Sequence, residues 1–256
     1  MPFHQEQDIR YFAFESLAIP NAIFTRRGGV SPAPWQSLNV GGAVGDDLAN
    51  VRENRLRSFA ALRRDPASIH DVWLIHGTSV VHADAPRDLA EPPLKADILT
   101  TNNPAVTLFM RYADCAPIIL HDPVQRAICI AHAGWLGTVR GVVTVAVEAM
   151  QNCYGSSPRD LRAGIGPSIG PDHYEIGADV AGEIHKALGP RAHEALNARG
   201  EKHHLDLWAA NRIQLEQAGV FQIEVSGICT ACHTDDWFSH RAEKGKTGRF
   251  GALVAL

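Results

Sequence analysis

No stretch of this chain approaches the ~20 consecutive apolar residues of a membrane span. Met1 to Pro20 carries Glu6, Asp8, Arg10 and Glu15 and has no apolar core of the signal-peptide kind. Basic residues are not in excess: 24 Lys and Arg stand against 28 Asp and Glu, a formal net charge of −4. Overall charge therefore favours neither nucleic acid nor a membrane surface as partner. Cysteine is sparse, at positions 115, 129, 153, 229 and 232. An odd, scattered set argues against a disulfide scaffold and for a reducing cytosol. Internal repeats and low-complexity linkers are missing, and no pattern signals an oligomeric state. A soluble, cytoplasmic protein is expected, with residues 1–256 as one compact domain holding ample core.

What is present is concentrated in the middle of the chain. Residues 105–112, 116–121 and 126–131 are apolar runs, rich enough in Val and Ile to be strands covered on both faces. Between the last two, Pro123 with Asp122, Gln125 and Arg126 reads as a turn, so these strands pair as a hairpin. Pairing sets the Cys115 end of one strand beside the His132 end of the other. Small residues flank both, as in Ala113-Asp114-Cys115-Ala116 and Ala131-His132-Ala133-Gly134. His76 closes a further apolar run, Trp73-Leu74-Ile75, and precedes Gly77.

Helices are expected after the caps Asp46 and Asp47 to about Leu62, and over 138–153, 178–188 and 208–218. In the first, Leu48, Val51, Leu56 and Phe59 are read as the inward face. Two short strands about Gly77 fill 71–82, and further strands span 161–165, 221–228 and 250–256. The polar segment 192–204 is read as mobile surface. The sum is an α/β (α+β) fold of mixed β-sheets flanked by helices.

Two imidazoles and a thiolate are the ligands that zinc prefers, and three of them leave a fourth position open for water. His76, Cys115 and His132 form such a set. Singly, each is better explained as a core histidine or an inert cysteine; together, on strand ends flanked by small residues, they favour a site. The same residues also suit a Cys115–His132 nucleophilic dyad, with Asp114 or another carboxylate orienting the imidazole. Cys229-Thr-Ala-Cys232-His233 matches a c-type haem attachment pattern, but attachment needs export. As half of a zinc ribbon it lacks a second Cys-x-x-Cys. Arg52, Arg241 and Arg249, with Asn39, are the candidates for holding an anion or a sugar, since a guanidinium offers forked donors.

These motifs, with Thr25-Arg-Arg-Gly-Gly-Val-Ser31, Gly166-Pro-Ser-Ile-Gly170, Tyr174-Glu-Ile-Gly177, Phe238-Ser-His-Arg241 and Thr247-Gly-Arg249, run nearly end to end. In this order they resemble the laccase-domain family, whose members are named multicopper polyphenol oxidases, purine nucleoside phosphorylases or peptidoglycan editing factors. The resemblance implies a zinc site at His76, Cys115 and His132, and Asn39 and Arg52 in a nucleoside pocket. It implies phosphorolysis of adenosine, inosine, guanosine and methylthioadenosine, and deamination of adenosine, with a purine nucleoside and phosphate as partners. Members often carry arginine directly after His-Ala-Gly-Trp; here that position is Leu136, with Arg140 one turn on, so phosphate must meet Arg140 or another residue. The oxidase name requires several copper centres. No His-x-His pair exists to build a trinuclear cluster, so zinc is expected ahead of copper. The rival readings are a cysteine hydrolase cleaving an amide in cell-wall precursor editing, and a metal-stabilised binding protein without turnover.

Overall fold

The computed structural model describes residues 2–200 and 202–256. The N-terminal part holds β1 (Phe3–Glu6), β2 (Ile9–Phe12), β3 (Asn21–Phe24), α1 (Leu48–Ala61), β4 (Ile69–His70) and β5 (Val80–His82). The middle supplies β6 (Ile98–Thr101), β7 (Thr107–Tyr112), β8 (Ala116–Asp122), β9 (Ala127–Ala133), α2 (Trp135–Val139), α3 (Val142–Tyr154) and β10 (Arg162–Ile165). The remainder is β11 (Glu175–Ile176), α4 (Ala178–Leu188), β12 (Leu196–Arg199), β13 (Lys202–Leu205), α5 (Leu207–Gln217), β14 (Gln222–Val225) and β15 (Phe250–Ala255). Among the described residues, no helix is long and apolar enough to cross a membrane.

Two six-stranded mixed sheets carry the fold, in the orders β1-β2-β3-β15-β7-β4 and β14-β10-β8-β9-β6-β5. Strand parity shows how they stack. Leu108, Met110 and Tyr112 of β7 share one apolar cluster with Ile119 of β8 and with Ile128 and Ile130 of β9. Phe109 points the other way, into a cluster with Phe59 of α1. Ile118, Leu120, Cys129 and Ala131 meet Val143, Val147 and Met150 of α3. The layers therefore run helix, sheet, sheet, helix, and the central strands are covered on both faces as their continuous apolar runs require.

The hairpin forms as expected: β8 and β9 pair antiparallel with Pro117 opposite His132 and Ala116 opposite Ala133. By parity His132 shares the face of Ile128 and Ile130, so its ring enters the end of the gap between the sheets. There it lies 5.5 Å from the Tyr112 ring, centroid to centroid.

Four expectations need correction. In α1, Leu48 and Leu56 are exposed, and Asn54 and Ser58 are buried beside Val51 and Phe59. Beside the apolar contact of Phe59, the helix is held by polar contacts: the Asn54 amide donates to the Ser37 and Asn39 carbonyls and to Ser31 Oγ. The helix expected over 138–153 is two, α2 and α3, broken at Gly141, whose φ of +76° lies in the left-handed region. Residues 71–79 are mostly irregular, because the Asp97 side chain takes the backbone N–H groups of Ile75, His76 and Gly77 that a strand would pair. Among the described residues of 192–204, β12 and β13 pair and join β11 in a three-stranded sheet, with Ala192, Ala195 and the adjoining Leu205 buried.

Candidate metal centre

His76, Cys115 and His132 converge although they sit on three different segments. Their ligand atoms all lie within 4.8 Å of one another. The His76 and His132 rings meet edge to face at 4.9 Å. Local backbone makes the convergence possible. Gly134 faces the thiol so closely that a Cβ there would stand 2.7 Å from Cys115 Sγ, so only glycine leaves the sulfur its place. His76 and Asp114 adopt φ of +57° and +86°. For side chains other than glycine this costs roughly 1–3 kcal/mol each, which the surrounding hydrogen bonds must hold in place.

Asp97 provides much of that hold, and sequence reasoning missed it. Fully buried at the head of β6, its carboxylate accepts the backbone N–H of Ile75 at 3.2 Å, of His76 at 3.0 Å and of Gly77 at 2.7 Å. It also accepts from His132 Nδ1 at 3.0 Å, so His132 keeps Nε2 for a ligand. Burial works against the Asp97 anion, yet the hydrogen bonds from His132 and the loop outweigh it and hold the carboxyl below its usual range. The signal available in sequence was an acidic residue at the threshold of an apolar strand, Lys95-Ala96-Asp97-Ile98.

Asp114, considered above as the residue orienting the imidazole, has another task. Its carboxylate accepts from Thr230 Oγ1 and from the Arg241 backbone N–H, each at 2.7 Å, and so ties the β8 entry to two C-terminal loops.

Burial opposes ionisation of Cys115 and of His132, but their mutual attraction wins. The charge of His132, with hydrogen bonds to His132 and His76, brings the thiol down to about 6. The Cys115 charge and the Asp97 hydrogen bond raise His132 to about 9. Without metal each group thus favours the charged form of the other, thiolate beside imidazolium. With a soft divalent ion the donor set fits zinc: two imidazoles, one thiolate and a fourth position facing solvent.

That position opens on a cleft of about 490 Å³, walled by the 41–44 loop, Tyr174, Arg241 and Arg249. The Arg241 guanidinium lies 5.1 Å from the Tyr174 ring centroid and donates to the Glu175 carbonyl at 3.0 Å. Arg241 and the metal ligands therefore face one space. Asn39 does not line it. Wholly buried, Asn39 accepts from the Gly41 and Arg249 backbone N–H groups and donates to Asp46, fixing the loop and strand that form the wall. Arg52 is exposed on α1 and lies outside the cleft lining. Arg140 reaches the site from behind, donating to the His76 carbonyl at 3.4 Å.

The sequence profile of the family described as multi-copper polyphenol oxidoreductase laccase matches residues 20–256. A purine nucleoside phosphorylase of Deinococcus radiodurans is 41% identical over 242 residues, covering 94% of this chain and 90% of that protein. The purine nucleoside phosphorylase YfiH of Escherichia coli is 34% identical over 236 residues, covering 91% of each chain. Among solved structures, the Bacillus licheniformis hypothetical protein YfiH superposes with a TM-score of 0.91 at 32% identity, covering 100% of this chain and 99% of that one. With the profile spanning every strand from β3 to β15 and all the residues of the centre, the chain belongs to the multi-copper polyphenol oxidoreductase laccase family, the laccase-like family of the YfiH proteins.

Proposed function

We propose that this chain is a zinc-dependent purine nucleoside phosphorylase, one catalytic domain acting in the cytoplasm on adenosine, inosine, guanosine and methylthioadenosine, and also deaminating adenosine. The observation that carries it is the meeting of His76, Cys115 and His132 at the floor of a nucleoside-sized cleft whose wall includes Arg241 and Arg249. The names of the relatives supply the substrate class. Five free cysteines suit a reducing compartment.

Bound zinc would supply Lewis-acid polarisation to the group presented at the open position. The chain's own residues do the rest. Asp97 keeps His132 in the tautomer that turns Nε2 to the ion. Tyr174 gives an aromatic face against which a purine or ribose can pack, and Arg241 and Arg249 neutralise phosphate beside the sugar. Phosphorolysis forms a bond from phosphate oxygen to the anomeric carbon while the bond to the purine nitrogen breaks, and holding both partners in one cleft supplies proximity. Asn39 acts by fixing the wall. The exposed position of Arg52 gives no geometric support for the nucleoside contact that the resemblance implied.

Zinc is favoured over copper because the described residues group their ligands into two separate sets of three, too few for a trinuclear copper centre.

The second reading, a cysteine hydrolase, draws on the Cys115–His132–Asp97 chain of contacts, which matches a nucleophile, its base and an orienting carboxylate. Chromatography of adenosine and inosine digests, with and without phosphate, separates the two. Phosphate-dependent release of hypoxanthine from inosine, lost on chelation and restored by zinc, supports the phosphorylase. Failure to turn over any nucleoside, together with amide cleavage abolished by alkylation, would replace it with the hydrolase.

A further inference from the structure

Beyond Tyr174 the chain gathers a second set of soft ligands. Cys229 and Cys232 lie in a turn following β14, and His173, 56 residues away from Cys229, faces both. The His173 Nδ1 atom is 3.8 Å from Cys229 Sγ and 3.5 Å from Cys232 Sγ, and the three ligand atoms lie within 4.8 Å of one another. We propose that His173, Cys229 and Cys232 bind a second zinc ion, which pins the 170–175 loop to the 229–232 turn and so holds the Tyr174 wall of the cleft.

Distance supports the assignment. Zinc bonds of about 2.3 Å to sulfur and 2.0–2.1 Å to nitrogen, at tetrahedral angles, set an imidazole nitrogen roughly 3.5 Å from sulfur. The observed separations match that spacing, and Cys229 and Cys232 are free thiols rather than a disulfide. The Cys229 sulfur is also fixed in place: it accepts the backbone N–H of Gly170 at 3.2 Å and of Cys232 at 3.4 Å. A Cβ at position 170 would stand 3.1 Å from Cys229 Cβ and 3.2 Å from its sulfur, so glycine there admits this close approach. Two thiolates and one imidazole select zinc over magnesium or calcium, and leave a fourth position on the exposed side, where His173 and Cys232 lie.

The sequence concealed this site. Cys229-Thr-Ala-Cys232 stood alone without a second pair, and the adjacent His233 completed a haem-like pattern. The third ligand is instead His173, brought over by the long connection from β10 to β11. Its neighbours explain the consequence for the cleft. Tyr174 follows His173 and lines the cavity, and Arg241 donates to the carbonyls of His173 at 3.4 Å and Glu175 at 3.0 Å. Thr230, next to Cys229, donates to Asp114, the residue before Cys115. An ion here would thus fix the far wall of the first centre without touching its ligands.

The inference does not depend on which reaction the cleft performs. The test uses the reduced full-length protein, reconstituted with zinc, desalted and assayed by elemental analysis. Wild type should retain about two zinc ions per chain, and His132→Ala, Cys232→Ser and His173→Gln about one each. Cys232 and His173 are exposed, so these two variants should keep the fold, to be checked by circular dichroism. Substitution with cobalt should give thiolate-to-cobalt charge-transfer absorption that persists in Cys115→Ser and weakens in Cys232→Ser. One zinc per chain in wild type, lost in His132→Ala and unchanged in Cys232→Ser, would overturn the proposal. So would a Cys229–Cys232 disulfide in protein purified anaerobically without reductant, which would make the turn a redox pair.

Discussion

Asp97 Oδ1 lies 3.0 Å from His132 Nδ1, and the same carboxylate collects the backbone N–H groups of Ile75, His76 and Gly77. One buried side chain therefore positions two of the three ligands, His132 through its ring and His76 through its main chain. Replacing Asp97 with Asn keeps the shape but weakens both roles, since a neutral amide is a poorer acceptor and no longer selects the His132 tautomer. Zinc affinity of Asp97→Asn, measured by competition with a chromophoric chelator, should fall roughly 10–100-fold. Wild-type affinity in this variant would leave Asp97 only a structural part in the loop.

Gly134 offers a cleaner steric test. Its φ of −87° and ψ of 179° are open to any residue, so Gly134→Ala carries no backbone penalty. The added methyl instead meets Cys115 Sγ at 2.7 Å. Displaced sulfur predicts loss of zinc and of activity, with far-ultraviolet circular dichroism unchanged. Full zinc occupancy in Gly134→Ala would mean that the strand ends can move apart and that the centre is looser than its geometry implies.

The hairpin and its two ligands were legible because local signals and the tertiary arrangement agree there. Continuous apolar runs, a proline-marked turn and period-two parity fix which end of β8 meets which end of β9. His76 was legible by type but not by structure, because its loop takes shape from a carboxylate about twenty residues on. Asp97, His173 and the structural role of Asn39 depend on chain crossings that no local pattern encodes. On α1 a residue beside inward-facing Val51 can still be exposed, as Arg52 is, and the helix buries Asn54 and Ser58 where apolar periodicity called for Leu48 and Leu56.

The pairing of Cys115 with His132 has a pH signature in metal-free protein. Cys115 contributes stability above its ordinary value of 9 and loses it as pH falls through about 6. His132 contributes below its ordinary value of 6.5 and loses its share as pH rises through about 9. Between those limits one gain offsets the other loss, so melting temperature should change little on account of this pair. Reactivity should change. With chelator present, alkylation of Cys115 should rise with pH about a midpoint near 6, and His132→Ala should move that midpoint upward. A midpoint near 9 in wild type would show that the ion pair does not form.

Two of the arginines raised by the sequence, Arg241 and Arg52, can be set against each other. Arg241 faces the cleft beside Tyr174 and shares its space with Cys115, whereas Arg52 is exposed on α1 outside that lining. If phosphate binds at the wall, removing the Arg241 guanidinium forfeits a charged hydrogen bond worth roughly 1.5–3 kcal/mol. KM for phosphate in inosine phosphorolysis should then rise on the order of 10–100-fold in Arg241→Ala. Phosphate-independent deamination of adenosine should be much less affected, since that reaction requires no second anion. Arg52→Ala should resemble wild type in both assays. Equal losses in both reactions for Arg241→Ala would make Arg241 a residue that holds the nucleoside or the Tyr174 wall. A large loss in Arg52→Ala alone would extend the nucleoside site across the 41–44 loop to α1.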